Sequence, residues 1–196
     1  STDEAQLTVA VDVADQMIDY LNTGAISNAV NVPSLNAEMR ETLGPLLFLA
    51  QQLGRFQSAY MEGAPTAIDI EYSGEMDIAD TYPITTSVMM GFLESKVESV
   101  NMVSAPTVAK ERNIEISEVT CESLDEFQTL ITLTVTTEAQ TRALSGTLFA
   151  GDKPRIVEIK GIAIDAELGP NMLFITNEDK PGLIGALGTM LGENNI

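Results

Sequence analysis

A polar turn between a predicted strand and a predicted helix contains the residue types best suited to binding a ligand. Residues 172–176 are apolar or β-branched, which predicts a strand, and the apolar residues after position 182 recur at helical spacing. The turn between them includes Asn177, Asp179, Pro181 and Gly182. Proline suits the first turn of a helix, and Asn177 or Asp179 would cap its free N–H groups. Such a turn could hold a small polar or anionic ligand, although an ordinary strand–helix connection has the same pattern.

Composition excludes several kinds of chemistry. The 196 residues include no histidine, so the chain contains no Ser-His or Cys-His catalytic pair and no His-ligated zinc. The single cysteine, Cys121, excludes an internal disulfide and a Cys-rich metal site, and suits a reducing cytoplasm. The carboxylates of Glu75, Asp77 and Asp80 lack the spacing of a calcium-binding EF-hand loop, so they predict a solvated acidic loop.

Charge and hydropathy narrow the class of partner. The net charge is −19, with only 10 basic residues, which argues against binding to nucleic acid or to an anionic membrane. No run of eighteen apolar residues occurs, so we expect no membrane span. Hydrophobic residues make up 44% of the chain, as is typical of a globular protein.

Two helical patterns open the chain. Residues 1–22 place apolar side chains on one face, with Ser1 and Glu4 at capping-box spacing. A lone helix of this length is marginally stable, so we expect another surface to cover the apolar face. After a connector, residues 37–62 form a second helical pattern, in which Pro45 predicts a kink or a delayed start.

The middle of the chain mixes helices and strands. Alternating and helical patterns predict helices at 81–97 and 107–112, and strands at 67–73, 97–103, 114–121, 127–136, 141–149, 155–160 and 162–167. Gly161 predicts a hairpin or bulge between the last two strands. Residues 37–168 are therefore predicted to form one α+β unit with a mixed or antiparallel sheet.

Three groups of sequence segments resemble parts of long-form D-3-phosphoglycerate dehydrogenases. Asn-Met-Val-Ser-Ala-Pro-Thr-Val-Ala-Lys-Glu-Arg-Asn-Ile at 101–114, Ser-Gly-Thr-Leu-Phe at 145–149 and Arg-Ile-Val-Glu-Ile-Lys-Gly at 155–161 resemble the intervening, or allosteric substrate-binding, domain of that family. Val-Ala-Asp-Gln-Met at 13–17 and Asn-Ala-Val-Asn-Val-Pro at 28–33 resemble the end of its catalytic core. Asn-Glu-Asp-Lys-Pro-Gly-Leu-Ile at 177–184 resembles the start of an ACT domain, a ferredoxin-like βαββαβ module that binds amino acids.

The resemblance implies three parts with a regulatory role. Residues 1–36 would be the last helix and linker of a catalytic core, 37–168 the intervening domain, and 171–196 the first βα unit of an ACT domain. The parent enzyme would oxidise 3-phosphoglycerate with NAD, the first step of serine biosynthesis, in the cytoplasm. Its catalytic and NAD-binding residues would precede Ser1, so this chain would hold neither catalytic residues nor a cofactor, and would regulate and oligomerise instead.

The resemblance also implies binding residues. L-serine would lie in the turn formed by Asn177, Asp179, Pro181 and Gly182. Asp179 would hold its ammonium group, and Asn177 its hydroxyl or carboxylate. Some long-form members bind phosphate-like anions in the intervening domain, and the candidates for such a site here are Lys110, Arg112, Lys153 and Arg155. Each of these four side chains also fits a simple solvated surface charge.

Two other functions fit part of the pattern. The regulatory β portion of an iron–sulfur L-serine dehydratase contains a related domain, but it should lie near cysteine ligands, and one cysteine does not supply them. A free-standing amino-acid sensor is the third alternative. The sequence encoded upstream of Ser1 distinguishes the three functions. It would contain a Gly-rich NAD-binding loop for the dehydrogenase, a cluster-binding chain for the dehydratase, or a start codon for the free-standing sensor.

Overall fold

The computed structural model describes residues 3–23, 37–74, 81–121, 127–169, 171–177 and 181–195. Its elements in chain order are α1 (Asp3–Thr23), α2 (Ala37–Tyr60), β1 (Pro65–Gly74), α3 (Tyr82–Leu93), α4 (Ala105–Glu111), β2 (Glu115–Cys121), β3 (Thr129–Thr137), β4 (Thr141–Phe149), β5 (Lys153–Ile159), β6 (Ile162–Glu167) and α5 (Leu183–Glu193). The predicted cap at Ser1 and the acidic loop at 75–80 lie outside the described residues.

Six strands form one mixed sheet in the order β2-β1-β3-β4-β5-β6. The β1–β2 pair is parallel, and the crossover between its strands contains α3 and α4. The other neighbouring strands are antiparallel, and β3 to β6 follow one another as a meander. The predicted α+β class with a mixed sheet is confirmed.

The two faces of the sheet differ in polarity. Alternate side chains of β1 (Ile68, Ile70 and Tyr72) are at most 1% exposed, and they lie in one core with residues of α2 and α3. The opposite face is polar, and there the Thr132 and Ser145 hydroxyls on β3 and β4 are 3.0 Å apart. The strand period of two therefore produces a two-layer structure, with helices on one face and a threonine-rich surface on the other.

Helices α2 and α3 pack unusually closely because each has a glycine at the contact. A Cβ atom added at Gly54 would lie 2.2 Å from the Val88 carbonyl oxygen. One added at Gly91 would lie 2.0 Å from the Gln51 carbonyl oxygen. No side chain fits in either place, so backbone meets backbone there.

Two predicted strands are wrong. Residues 97–103 form turns, because the Asn101 side-chain oxygen accepts hydrogen bonds from the N–H groups of Val103 (2.9 Å) and Ser104 (3.0 Å). Residues 172–176, which are apolar or β-branched, are exposed, and no described strand pairs with them. An extended segment without a partner has no ladder to satisfy its backbone groups, so an apolar run alone does not make a strand.

Helix α2 corrects a third prediction. It begins at Ala37 and continues through Pro45, so the expected delayed start is wrong. Proline removes one hydrogen bond, the one to the carbonyl of residue 41. Leu49 and Leu53, further along the helix, are fully buried, and their packing anchors α2 to the core.

The apolar face of α1 is uncovered within the described part of the chain. Leu7 is 68% exposed, Ile18 is 52% exposed and Leu21 is 78% exposed. The apolar pattern was expected to need a cover, and the described residues do not supply one. None of the described helices is both long and apolar enough to cross a membrane.

Candidate functional site

The predicted effector turn leads into α5, which begins two residues after Pro181. The N-cap is Gly182, at φ 102°, a backbone conformation that favours glycine. Pro181 therefore precedes the helix instead of starting it, and Gly182 has no side chain with which to cap α5. Pro181 and Gly182 are exposed, and so is Asn177, the last described residue before them. Asp179 lies outside the described residues.

The four predicted anion-site residues lie in two separate places. Lys110 lies in the last turn of α4 and Arg112 is the C-cap, next to β2, whereas Lys153 and Arg155 lie on β5. Four strand spacings separate β2 from β5, which amounts to about 19 Å. The Arg155 guanidinium is also paired with the carboxylates of Asp165 (3.1 Å) and Glu167 (3.3 Å). The fold therefore does not bring the four side chains to one site.

A different cleft, which we name the Tyr60 cleft, lies at the C-terminal end of α2. It has a volume of about 390 Å³, and its walls include Phe56, Tyr60, Arg142, Lys160 and Phe174. The α2 helix supplies Phe56 and Tyr60, the start of β4 supplies Arg142, and the β5–β6 turn supplies Lys160. Phe174 comes from the segment that precedes α5. The cleft therefore joins four distant parts of the sequence.

Three aromatic rings form the apolar side of the Tyr60 cleft. The Phe174 ring meets Tyr60 edge to face, with centroids 5.0 Å apart and an interplanar angle of 84°. It meets Phe56 at 5.5 Å and 74°. Edge-to-face pairs are favourable because the positive ring edge meets the negative ring face. These contacts hold the segment 171–177 against α2.

Two cations lie over the Tyr60 ring. The Arg142 guanidinium carbon is 4.2 Å from the ring centroid, and the Lys160 ammonium nitrogen is 5.2 Å from it. Arg142 donates from Nε to the Gln140 side-chain oxygen at 2.6 Å, and Gln140 donates in turn to the Glu62 carbonyl at 3.1 Å. Within the described part of the chain, only the Nε atom of this stacked guanidinium has an acceptor, so its terminal N–H groups can donate to another partner.

The backbone around both cations is fixed. Gln57 is fully buried, and its side-chain amide donates to the Arg142 carbonyl at 2.6 Å. Lys160 and Gly161 form the turn of the β5–β6 hairpin with φ of 54° and 74°. Positive φ at both central residues is the hallmark of the type I′ turn, so the predicted hairpin at Gly161 is confirmed. The Lys160 N–H donates to the Ala143 carbonyl at 3.1 Å.

The ionisable groups with shifted pKa values lie outside the Tyr60 cleft. Burial raises the pKa of Tyr72, whose hydroxyl is 2.7 Å from that of Thr85. Partial burial and the neighbouring Glu71 carboxylate raise the pKa of Cys121, so its thiol stays protonated at neutral pH. No group of three or more potential metal ligands occurs among the described residues. Within the described residues, the structure therefore shows neither a shifted ionisable group at the Tyr60 cleft nor a cluster of potential metal ligands.

Sequence reasoning missed the residues of this cleft. The prediction included the Gly161 hairpin, but not that Lys160 would face Tyr60 from it. One signal was available, because lysine is an unusual residue beside glycine in a type I′ turn, where asparagine or aspartate is typical. Arg142 gave no signal, because its partner Tyr60 is far away in the sequence.

Taken together, the helices and the mixed sheet define an α+β domain with a cation-lined cleft at the end of α2. The chain belongs to the D-3-phosphoglycerate dehydrogenase intervening-domain family, whose model matches residues 42–160. The resemblance drawn from the sequence is thus confirmed. The match lies inside the predicted intervening domain at 37–168, whose boundaries remain a prediction, as does the ACT assignment of residues 171–196.

The chain is also similar over its whole length to curated relatives named D-3-phosphoglycerate dehydrogenase. The Archaeoglobus fulgidus protein is 33% identical over 197 residues, covering 100% of this chain and 37% of that protein. The Bacillus subtilis protein is 32% identical over 197 residues, covering 100% and 38%. The Mycobacterium tuberculosis protein is 29% identical over 200 residues, covering 100% and 37%. The chain thus spans little more than a third of the length of these relatives.

Proposed function

We propose that this chain is the regulatory and oligomerising part of a long-form D-3-phosphoglycerate dehydrogenase. The parent enzyme would oxidise D-3-phosphoglycerate with NAD in the cytoplasm, as a step of L-serine biosynthesis. The observation that supports this most strongly is the family match over residues 42–160. The complete absence of histidine agrees with a part that performs no acid–base chemistry of its own.

Feedback sensing of L-serine is the regulatory role that we propose. Asn177, Asp179, Pro181 and Gly182 would hold the effector in the turn before α5. The exposed N-terminus of α5 supports the proposal, because its first N–H groups suit a carboxylate. Half-burial of Leu183, Leu187 and Leu191 along one side of α5 is consistent with a helix that completes its packing with further strands of an ACT module.

Comparing two proteins tests the parent activity. We expect the purified 196-residue chain to produce no NADH from D-3-phosphoglycerate and NAD. A protein expressed from the upstream-extended reading frame should produce it, because that frame would supply the Gly-rich NAD loop and the catalytic histidine. NADH absorbance measures both. Turnover by the short chain, or an upstream frame that encodes cysteine ligands for a cluster, would refute the proposal and, in the second case, favour the serine dehydratase alternative.

We expect the chain to self-associate, because the apolar face of α1 is exposed. Light scattering should give a mass above that of a monomer. If α1 forms the contact, the double substitution Leu7→Glu and Ile18→Glu should weaken association and raise the dissociation constant by about tenfold or more. The control is Val9→Glu, because Val9 is similarly exposed (61%) but lies on the opposite face of α1. A monomer at high concentration would contradict self-association, and equal effects of both changes would exclude α1 as the contact.

A further inference from the structure

The Tyr60 cleft concentrates positive charge in a strongly acidic protein. The chain has a net charge of −19, yet Arg142 and Lys160 both lie over one ring. Neither forms an ion pair with a carboxylate among the described residues, although Arg55 and Arg155 do. Glu62 lines the same cleft, and its carboxylate forms no ion pair with either cation. Two uncompensated cations around a cleft produce a local field that attracts anions.

A neutral donor adds to the two charges. The hydroxyl oxygen of Tyr60 is buried and has no hydrogen-bond partner among the described residues. A buried hydroxyl is normally paired, so an unpaired one that lines a cleft marks the place of a missing partner. Its O–H is the kind of group that donates to a phosphate oxygen.

We propose that the Tyr60 cleft binds the phosphate group of a small molecule. A phosphate monoester carries a charge between about −1.5 and −2 at neutral pH, which the single positive charges of Arg142 and Lys160 together balance. The terminal N–H groups of Arg142 match two phosphate oxygens, and Tyr60 donates to the third. The rings of Phe56 and Phe174 then contact the carbon skeleton. Because Phe174 belongs to the segment before α5, an occupied cleft also holds that segment against α2.

The backbone at Lys160 supports this assignment. Lysine adopts a φ of 54° there, a conformation in which asparagine or glycine is more stable. A residue that fits its turn poorly but places a charge in a cleft suggests a functional requirement. The same fact provides a clean variant, because Lys160→Asn should preserve the turn while removing the charge.

This site is distinct from the predicted anion residues on β5. Arg142 lies opposite Val135 near the start of β4, whereas Arg155 lies opposite Thr147, five residues further along. At the rise of a strand, that places the two arginines about 17 Å apart. Arg155 already has two carboxylate partners, so it serves as the control.

Isothermal titration calorimetry with inorganic phosphate and glycerol 3-phosphate, at low ionic strength on the full chain, tests the proposal. We expect both to bind, and uncharged glycerol not to bind. Lys160→Asn and Arg142→Gln should each weaken binding by about tenfold or more, because each removes a charge-assisted contact. Tyr60→Phe, which keeps the ring, should weaken it by a smaller factor. Glu62→Gln should strengthen it, since a repulsive carboxylate leaves the rim.

Arg155→Gln is the matched control, and it should leave the affinity unchanged. Unfolding in urea should show Lys160→Asn to be at least as stable as the parent chain, so its loss of binding cannot come from misfolding. Three results would overturn the proposal. The first is no heat of binding with millimolar phosphate, and the second is a loss of phosphate affinity in Arg155→Gln equal to that in Lys160→Asn. The third is malonate binding as tightly as phosphate. The last result would make the cleft a dicarboxylate site.

Discussion

Replacing Gly54 by alanine should lower the free energy of unfolding by about 3 kcal/mol, a large effect for the addition of one methyl group. The added Cβ would lie 2.2 Å from the Val88 carbonyl oxygen and 2.8 Å from the Phe92 nitrogen. Both neighbours are backbone atoms of α3, so no side chain can rotate away. The helices must separate instead, and the buried contacts of Leu53 and Phe92 then weaken. Urea unfolding followed by circular dichroism measures the loss.

The control for Gly54→Ala is Gly188→Ala. Gly188 also lies in a helix, but nothing comes within 4 Å of its added Cβ. Alanine favours helix over glycine by about 1 kcal/mol, so this variant should be neutral or slightly stabilising. If the two substitutions changed stability equally, the close approach of α2 and α3 would be wrong.

Local patterns were sufficient to predict most of the fold. The alternation of Ile131, Leu133 and Val135 with threonines identified β3, because its two faces meet a core and water. The same reasoning failed at residues 172–176, which have no partner strand in the part of the chain that the structure describes. It also failed at residues 97–103, where the Asn101 side chain bonds to the backbone and bends the chain. Periodicity describes one segment, whereas a strand also requires a neighbour.

Local sequence patterns could not predict the Tyr60 cleft, because its residues come from distant parts of the chain. Its two cations, Arg142 on β4 and Lys160 in a hairpin turn, come well after Tyr60 in the sequence. They meet its ring only because β4 and β5 pair beneath α2. Sequence reasoning could identify the basic residues, but it could not tell which of them the fold would pair with carboxylates. It selected Arg155, which the fold pairs with two carboxylates, and passed over Arg142, which has no carboxylate partner among the described residues.

Changing Gln57 to glutamate should destabilise the chain by about 3 kcal/mol or more near neutral pH. Gln57 is fully buried, and its amide N–H group donates to the Arg142 carbonyl. A carboxylate cannot donate there, so the change leaves that carbonyl unpaired and buries a charge. Because Gln57 fixes the backbone of Arg142, the same variant should also disturb the Tyr60 cleft.

The loss of unfolding free energy caused by Gln57→Glu should grow as the pH rises. Burial raises the pKa of the new carboxyl in the folded chain above its unfolded value of about 4.3. Below about pH 4 both states are protonated, the carboxyl O–H can donate to Arg142, and the charge penalty vanishes. As pH rises through that value the unfolded state loses its proton first, so stability relative to the parent chain falls. Gln57→Met removes the hydrogen bond without adding a charge, so its smaller loss should not change with pH. Urea unfolding of the three proteins at about pH 4 and pH 7 measures this, and equal losses for both variants at both pH values would show that position 57 is open to water.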